Sequence, residues 1–65
     1  MKYCEREYEL TKCCKYGVVI KTKIWAESLE GLKRYLVEES KFSGWQTVRI
    51  YDISDGRTVA VLTFA

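Results

Sequence analysis

The chain has 65 residues and a mass of 7.6 kDa, which predicts a single domain spanning residues 1–65. Hydrophobic residues make up 48% of the chain and proline is absent, so disorder through low hydrophobicity is excluded. The apolar runs are too short for a membrane-spanning helix, and no membrane partner is expected. A net charge of +2, with both signs interspersed, is far from the charge of a protein that coats a phosphate backbone.

The three cysteines, Cys4, Cys13 and Cys14, do not suit a disulfide framework, because their number is odd. Cys13 and Cys14 are adjacent and could pair only under strain. Cys4 is expected about 30 Å from them along an extended strand, whereas a disulfide needs Cα atoms within about 7 Å. We therefore expect three free thiols in a reducing compartment. No basic-then-apolar leader follows Met1, so we expect a cytoplasmic protein.

The first part of the chain alternates between two kinds of side chain, as two β-strands do. Residues 2–12 and 18–26 both show a period of two, and the Cys-Cys-Lys-Tyr-Gly stretch between them predicts a hairpin connection. A helix is the alternative for residues 2–12, but the apolar stripe of a helix is missing there. Residues expected to face inward are Tyr8, Leu10, Val18, Ile20 and Ile24. Residues expected to face outward are Tyr3, Glu5, Glu7, Glu9, Lys21, Lys23 and Trp25.

Residues 28–43 predict one helix. Ser28 is a good N-cap, and Gly44 is a natural left-handed stop. Gly31 costs about 1 kcal/mol relative to alanine inside a helix, and we expect it to allow a close approach of helix and sheet. The apolar stripe of the helix consists of Leu29, Leu32 and Leu36.

Residues 46–53 and 57–64 predict a second hairpin, because Asp55-Gly56 between them is the strongest turn signal in the chain. The element order is then strand, strand, helix, strand, strand. This order predicts an α+β fold, a two-layer β-β-α-β-β sandwich whose four-stranded, mainly antiparallel sheet carries the helix on one face. The strand order is not fixed by the pattern, but two hairpins side by side in an all-antiparallel sheet are favoured.

The sequence is compatible with two registers of the last strand against the strand before it. A two-residue turn would pair Ile50 with Val61, whereas a three-residue loop over 54–56, with a bulge at its glycine, would pair Ile50 with Ala60. One step of register exchanges the two faces of the strand. We prefer the second register because it turns the larger side chains, Leu62 and Phe64, inward.

One helix can cover only one face of the sheet, so the other face is expected to meet water or a partner. Aromatic and arginine side chains are enriched in interface hot spots, and an apolar patch on a small chain often marks an interaction site. We therefore expect a non-enzymatic protein-binding module, an adaptor or inhibitor that docks on a larger protein or forms a homodimer through the open sheet face or an edge strand. By fold analogy alone, chains of this size and element order often act as adaptors or inhibitors, including many virus-encoded and mobile-element-encoded ones. The residues expected to bind the partner are Trp25, Tyr51, Arg49, Lys21, Lys23 and Tyr3.

Binding of single-stranded nucleic acid is the alternative function, because exposed aromatics among Lys and Arg can stack bases on a sheet. The glutamates on the same face argue against it. Catalysis is not expected, since the chain has no histidine and Asp52 and Asp55 are explained by turn chemistry. No metal site or cofactor is expected either, because Cys13 and Cys14 lack the Cys-x-x-Cys spacing.

Overall fold

The computed structural model describes residues 5–64, which form one four-stranded antiparallel sheet and one helix. The predicted α+β class and the β-β-α-β-β order are confirmed. The elements are β1 (Arg6–Cys14), β2 (Val19–Ala26), α1 (Leu29–Ser43), β3 (Trp45–Asp52) and β4 (Arg57–Thr63).

The strands lie in the order β2-β1-β3-β4, with every neighbouring pair antiparallel. Each hairpin is therefore intact, and the two hairpins lie side by side, as favoured from the sequence. The pairing of β1 with β3 joins them. It makes β1 and β3 the central strands and leaves β2 and β4 as the two edges.

The first hairpin connection lies later in the chain than predicted. Cys13 and Cys14 are the last residues of β1 and not part of the loop. The loop is closed by the Cys14 N–H, which donates to the Val18 carbonyl at 3.0 Å, and Gly17 adopts φ +90° there. The end of β1 pairs with β2 on one side and β3 on the other, and this pairing keeps Cys13 and Cys14 extended. A hairpin of β1 and β2 alone would not require it. Cys4 and the start of the predicted first strand lie outside the described residues.

The helix begins and ends where its caps predict. The Ser28 Oγ accepts a hydrogen bond from the Gly31 N–H at 3.0 Å, and Gly44 ends the helix at φ +76°. The expected role of Gly31 in close helix–sheet approach is wrong. A Cβ at this position would lie 3.1 Å from the Ser28 Oγ, and the sheet is not within reach. The glycine therefore makes room for the N-cap side chain.

The core lies between α1 and the two central strands. A helix is about 10 Å wide and strands are about 4.8 Å apart, so one helix covers roughly two strands. Val18 and Ile20, which the sequence predicts to be inside, are consequently exposed. The register places Ile20 beside Lys12 on the helix side of the sheet, at a corner that α1 does not reach. The fully buried apolar side chains are Tyr8, Leu10, Leu32, Leu36, Val48 and Ile50.

The preferred register of β4 is confirmed, because Ile50 pairs with Ala60 and Val48 pairs with Leu62. Leu62 and Phe64 pack against the core, as that register requires. The expected loop is wrong, however. The connection spans four residues, 53–56, and the register shifts between Ile50 and Tyr51, so that the extra residue of the bulge is Val59 and not the loop glycine.

The loop owes its length to the carboxylate of Asp52. The side-chain Oδ1 of Asp52 accepts hydrogen bonds from the backbone N–H groups of Ser54 at 2.9 Å and Asp55 at 3.2 Å. The Gly56 N–H donates to the Asp52 carbonyl at 2.8 Å, and Gly56 adopts φ +69°. Asp52 thus performs the turn chemistry expected of it, and in doing so it selects a longer loop than a two-residue Asp-Gly turn.

Candidate functional site

The sheet face opposite α1 is not covered by any element within residues 5–64, and we call it the open face. Its membership follows from the registers, because side chains alternate between the two faces along each strand. The open face carries Glu7, Glu9, Thr11 and Cys13 from β1, Val19, Lys21, Lys23 and Trp25 from β2, Thr47, Arg49 and Tyr51 from β3, and Thr58, Val61 and Thr63 from β4.

Five of the six residues predicted to bind a partner lie on this face. Trp25 is 60% exposed at the end of β2, and Lys21, Lys23 and Arg49 are exposed as well. Tyr51 is half-buried. Tyr3 lies outside the described residues.

These five residues are not one continuous aromatic cluster. Trp25 stands opposite Glu7, and Glu9 stands between Lys23 and Tyr51. The two aromatic rings therefore belong to strands about 10 Å apart, with two carboxylates on the strand between them. The open face alternates charge and aromatic area, and it has no continuous stacking platform.

The charged groups of the open face are not engaged with one another. Lys23 is the cross-strand neighbour of Glu9, yet among the described residues no open-face ammonium or guanidinium nitrogen lies within 4.0 Å of a carboxylate oxygen. Three positive and two negative side chains share the face, namely Lys21, Lys23, Arg49, Glu7 and Glu9. Within residues 5–64, none of these five groups has an ionic partner.

The edge of β2 offers backbone groups in addition to side chains. The hydrogen bond from Cys14 to Val18 fixes which residues of β2 bond to β1, because bonded and non-bonded pairs alternate in an antiparallel ladder. The N–H and C=O groups that point away from the sheet belong to Val19, Lys21, Lys23 and Trp25. These same residues carry the open-face side chains of β2.

The edge of β4 follows the same rule. The Phe64 N–H donates to the Gln46 carbonyl at 2.7 Å, so Phe64, Leu62 and Ala60 bond to β3. Val61 and Thr63 direct their backbone groups outward.

Two exposed valines complete the apolar part of the site, and the sequence analysis did not select them. Val19 and Val61 are each 55% exposed, one on each edge strand, and both face the open side. The alternation of β2 and β4 already places both valines on the open face. That they lie on edge strands follows only from the strand order.

The ionic groups on the helix side serve the fold. Asp52 is 2% exposed and is bonded to Arg6, whose Nη1 lies 3.0 Å from Oδ2. Lys12 Nζ lies 2.9 Å from Glu39 Oε1 on α1 and 5.7 Å from the centre of the Trp45 ring. Both pairs tie secondary-structure elements together, β1 to β3 and β1 to α1.

Two of the three cysteines lie within the described residues. Cys13 and Cys14 are half-buried free thiols. Within residues 5–64, no group of three or more Cys, Asp or Glu side chains is placed to hold a metal ion.

No protein-family model, curated protein or solved structure matches this chain. No helix in the described part of the chain is long and apolar enough to cross a membrane. The function must therefore be inferred from the open face and the two edges of the sheet.

Proposed function

We propose that the chain is a small non-enzymatic protein-binding module, an adaptor or inhibitor that docks on another protein through its open face and sheet edges. The observation that carries this proposal is the position of Trp25. Its side chain is 60% exposed on the open face, and its backbone N–H and C=O groups point away from β1 at the β2 edge, with no partner among residues 5–64. A partner can engage the ring and the backbone of the same residue.

The composition of the face supports a protein partner. Tryptophan, tyrosine and arginine are the side chains most enriched in interface hot spots, and the open face presents Trp25, Tyr51 and Arg49. An exposed edge strand can accept an extended segment of a partner, whose backbone provides affinity while alternate side chains provide specificity. Lys21 and Lys23 would then select acidic residues on that segment.

The carboxylates between the aromatics also favour a protein over a nucleic acid. A surface that tracks a phosphate backbone needs a continuous positive groove. Here Glu7 and Glu9 occupy the strand between Trp25 and Tyr51, so a phosphate chain that crossed the face would pass two negative charges. A protein partner of mixed charge meets no such penalty.

The test compares two variants that each remove one exposed aromatic ring. Trp25 lies on the open face, whereas Phe42 is 88% exposed on the helix. Tagged wild type, Trp25→Ala and Phe42→Ala would be used for affinity capture from a nuclease-treated extract of the cells that express the protein, and captured proteins would be purified and titrated by calorimetry. We expect a partner that binds wild type and Phe42→Ala alike and binds Trp25→Ala at least about tenfold more weakly, since hot-spot truncations cost more than 1 kcal/mol.

Two outcomes would contradict the proposal. Equal binding by all three proteins would remove the open face from the interface. Saturable quenching of tryptophan fluorescence by a mixed single-stranded oligonucleotide at low salt, abolished in Trp25→Ala, would replace the protein partner with a nucleic acid. Circular dichroism of Trp25→Ala should match wild type, because an exposed ring does not hold the core.

A further inference from the structure

We propose that two copies of this chain associate through β4, edge to edge and antiparallel, so that their sheets join into one continuous sheet. The inference rests on the proposed function and names a second copy of the chain as one of its partners. The contact surface is the row of outward backbone groups on β4, together with the side chains that flank it.

The first observation is that the part of β4 after Arg57 and the bulge lacks the features that normally protect an edge strand. Natural sheets blunt their edges with lysine, proline or inward-pointing charge. From Thr58 to Phe64 the chain has no charged residue and no proline. The bulge residue Val59 and the outward-facing residues Val61 and Thr63 are all β-branched. Two protective devices lie at the start of the strand, the charged side chain of Arg57 and the bulge at Val59, and both leave residues 60–63 in a regular ladder with β3.

The second observation is the contrast with β2. Its outward-facing residues include Lys21 and Lys23. In an antiparallel pair of two β2 strands about a two-fold axis, outward-facing residues pair with one another. With the axis at any position from 20 to 24, at least one lysine then lies opposite or diagonal to a lysine of the second copy. Like charges directly opposite are destabilising. The lysines thus protect one edge against self-pairing, and β4 is the edge that remains.

A two-fold axis at Leu62 gives a register that avoids the bulge. Val61 of one copy then pairs with Thr63 of the second copy, and each such pair exchanges both of its backbone hydrogen bonds. Leu62 meets its own equivalent on the helix side of the sheet. Phe64 lies beside the small side chain of Ala60 from the second copy. No charged residue faces another in this arrangement.

The register also covers apolar area that a single copy leaves exposed. Val61 is 55% exposed, and Leu62 and Phe64 are only half-buried although they pack against the core. In the dimer, each of these side chains gains a neighbour across the new strand pair. Both helices lie on the same side, because a two-fold axis perpendicular to the sheet preserves the face.

The first test uses two valines of equal exposure. Val61→Lys and Val19→Lys each place a lysine on the open face of an edge strand, on β4 and β2 respectively. Light scattering coupled to size-exclusion chromatography would measure the mass of each protein from the micromolar to the millimolar range. We expect a wild-type dimer of twice the 7.6 kDa monomer mass. Val19→Lys should leave it unchanged, and Val61→Lys should weaken it about tenfold or more, since both symmetry-related Val61–Thr63 contacts are lost and a charge is placed at the edge.

A second pair of variants acts on the backbone. Val61→Pro removes an N–H that points away from β3, so the ladder within one copy is preserved while a hydrogen bond of the dimer is lost. Val19→Pro makes the same change on β2. Dimerisation should be lost in Val61→Pro and retained in Val19→Pro, with circular dichroism reporting that both still fold.

Cross-linking tests the register in a chain whose native cysteines are replaced by serine. Opposite residues of a non-hydrogen-bonded pair have Cα atoms about 4.5 Å apart, a distance that a disulfide spans. Leu62→Cys should therefore cross-link two copies on oxidation, and Val61→Cys should not. Efficient cross-linking through Val61→Cys alone would overturn this register.

A wild type that stays monomeric at millimolar concentration, or a dimer that survives both Val61 substitutions, would overturn the association through β4. Neither result would affect the proposed protein-binding function, because that function is measured through Trp25 on the other edge. Conversely, Trp25→Ala should leave the dimer intact. The two proposals therefore fail separately.

Discussion

Among the polar side chains of residues 5–64, we expect the Asp52 carboxylate to contribute most to the free energy of unfolding. It is 2% exposed, it lies 3.0 Å from the Arg6 guanidinium, and it accepts hydrogen bonds from the backbone of Ser54 and Asp55. We predict that Asp52→Ala strongly lowers the free energy of unfolding. Asp55→Ala, in the same loop, should not.

The magnitude follows from the contacts. Hydrogen bonds to a charged group contribute about 1.5–3 kcal/mol each when buried. Here the Arg6 side chain is 47% exposed and the loop N–H groups can bind water once freed, so about 1 kcal/mol per contact is appropriate, or about 3 kcal/mol for Asp52→Ala. A domain of this length has roughly 3–10 kcal/mol in total. The melting temperature should fall by about 10–25 °C.

Two further variants calibrate the effect. Asp55 lies 3.6 Å from Arg6 and 3.9 Å from Arg57 in exposed ion pairs, so Asp55→Ala should cost at most about 0.5 kcal/mol. Asp52→Asn retains an oxygen that can accept the two loop N–H groups, but it presents an amide to Arg6. Its loss should be intermediate, about 1–2 kcal/mol.

Urea denaturation followed by tryptophan fluorescence and far-ultraviolet circular dichroism would measure all three variants. Equal losses of stability in Asp52→Ala and Asp55→Ala would refute the special role of the Asp52 carboxylate. An Asp52→Asn variant as unstable as Asp52→Ala would refute it too, since the hydrogen bonds to the loop would then contribute nothing.

The remaining predictions concern the helix. Lys12 Nζ, in a side chain 13% exposed, lies 2.9 Å from Glu39, so Glu39→Gln should cost about 1–3 kcal/mol in wild type and little in a Lys12→Met background. Equal losses in both backgrounds, measured by urea denaturation, would exclude the ion pair as the cause. Gly31→Ala should gain much less than the usual 1 kcal/mol or so, because its Cβ would lie 3.1 Å from the Ser28 Oγ, whereas in a Ser28→Ala background thermal melts should show the full gain. A full gain in both would contradict the steric explanation.

Features that depend on neighbours in sequence could be predicted from the sequence. Ser28 and Gly44 mark the helix ends through local hydrogen bonding and backbone conformation, and the structure places both as expected. The register of β4 was also predictable, because only one alternative buries Leu62 and Phe64. In each case the decisive interaction was visible in a short stretch of chain.

Features that depend on distant contacts could not be predicted in this way. The four-residue loop is set by the Asp52 carboxylate, which is itself held by Arg6 from the first strand. The exposure of Val18 and Ile20 depends on where a single helix lies across four strands. Alternation placed Lys21, Lys23, Trp25, Arg49 and Tyr51 on the open face, where the structure has them. It could not identify the edges, because the strand order comes from the long-range pairing of β1 with β3.

That central pairing also governs how the chain can be made. β1 leaves the ribosome before β2, and the two can close a hairpin at once. A lone hairpin is marginal in water, however, and β1 must wait for β2 and the whole helix to follow before β3 arrives on its other side. Until then, Tyr8 and Leu10 can pack only against α1, without Val48 and Ile50 of β3. The core of residues 5–64 is therefore complete only after β3 has followed β1, β2 and α1 out of the ribosome.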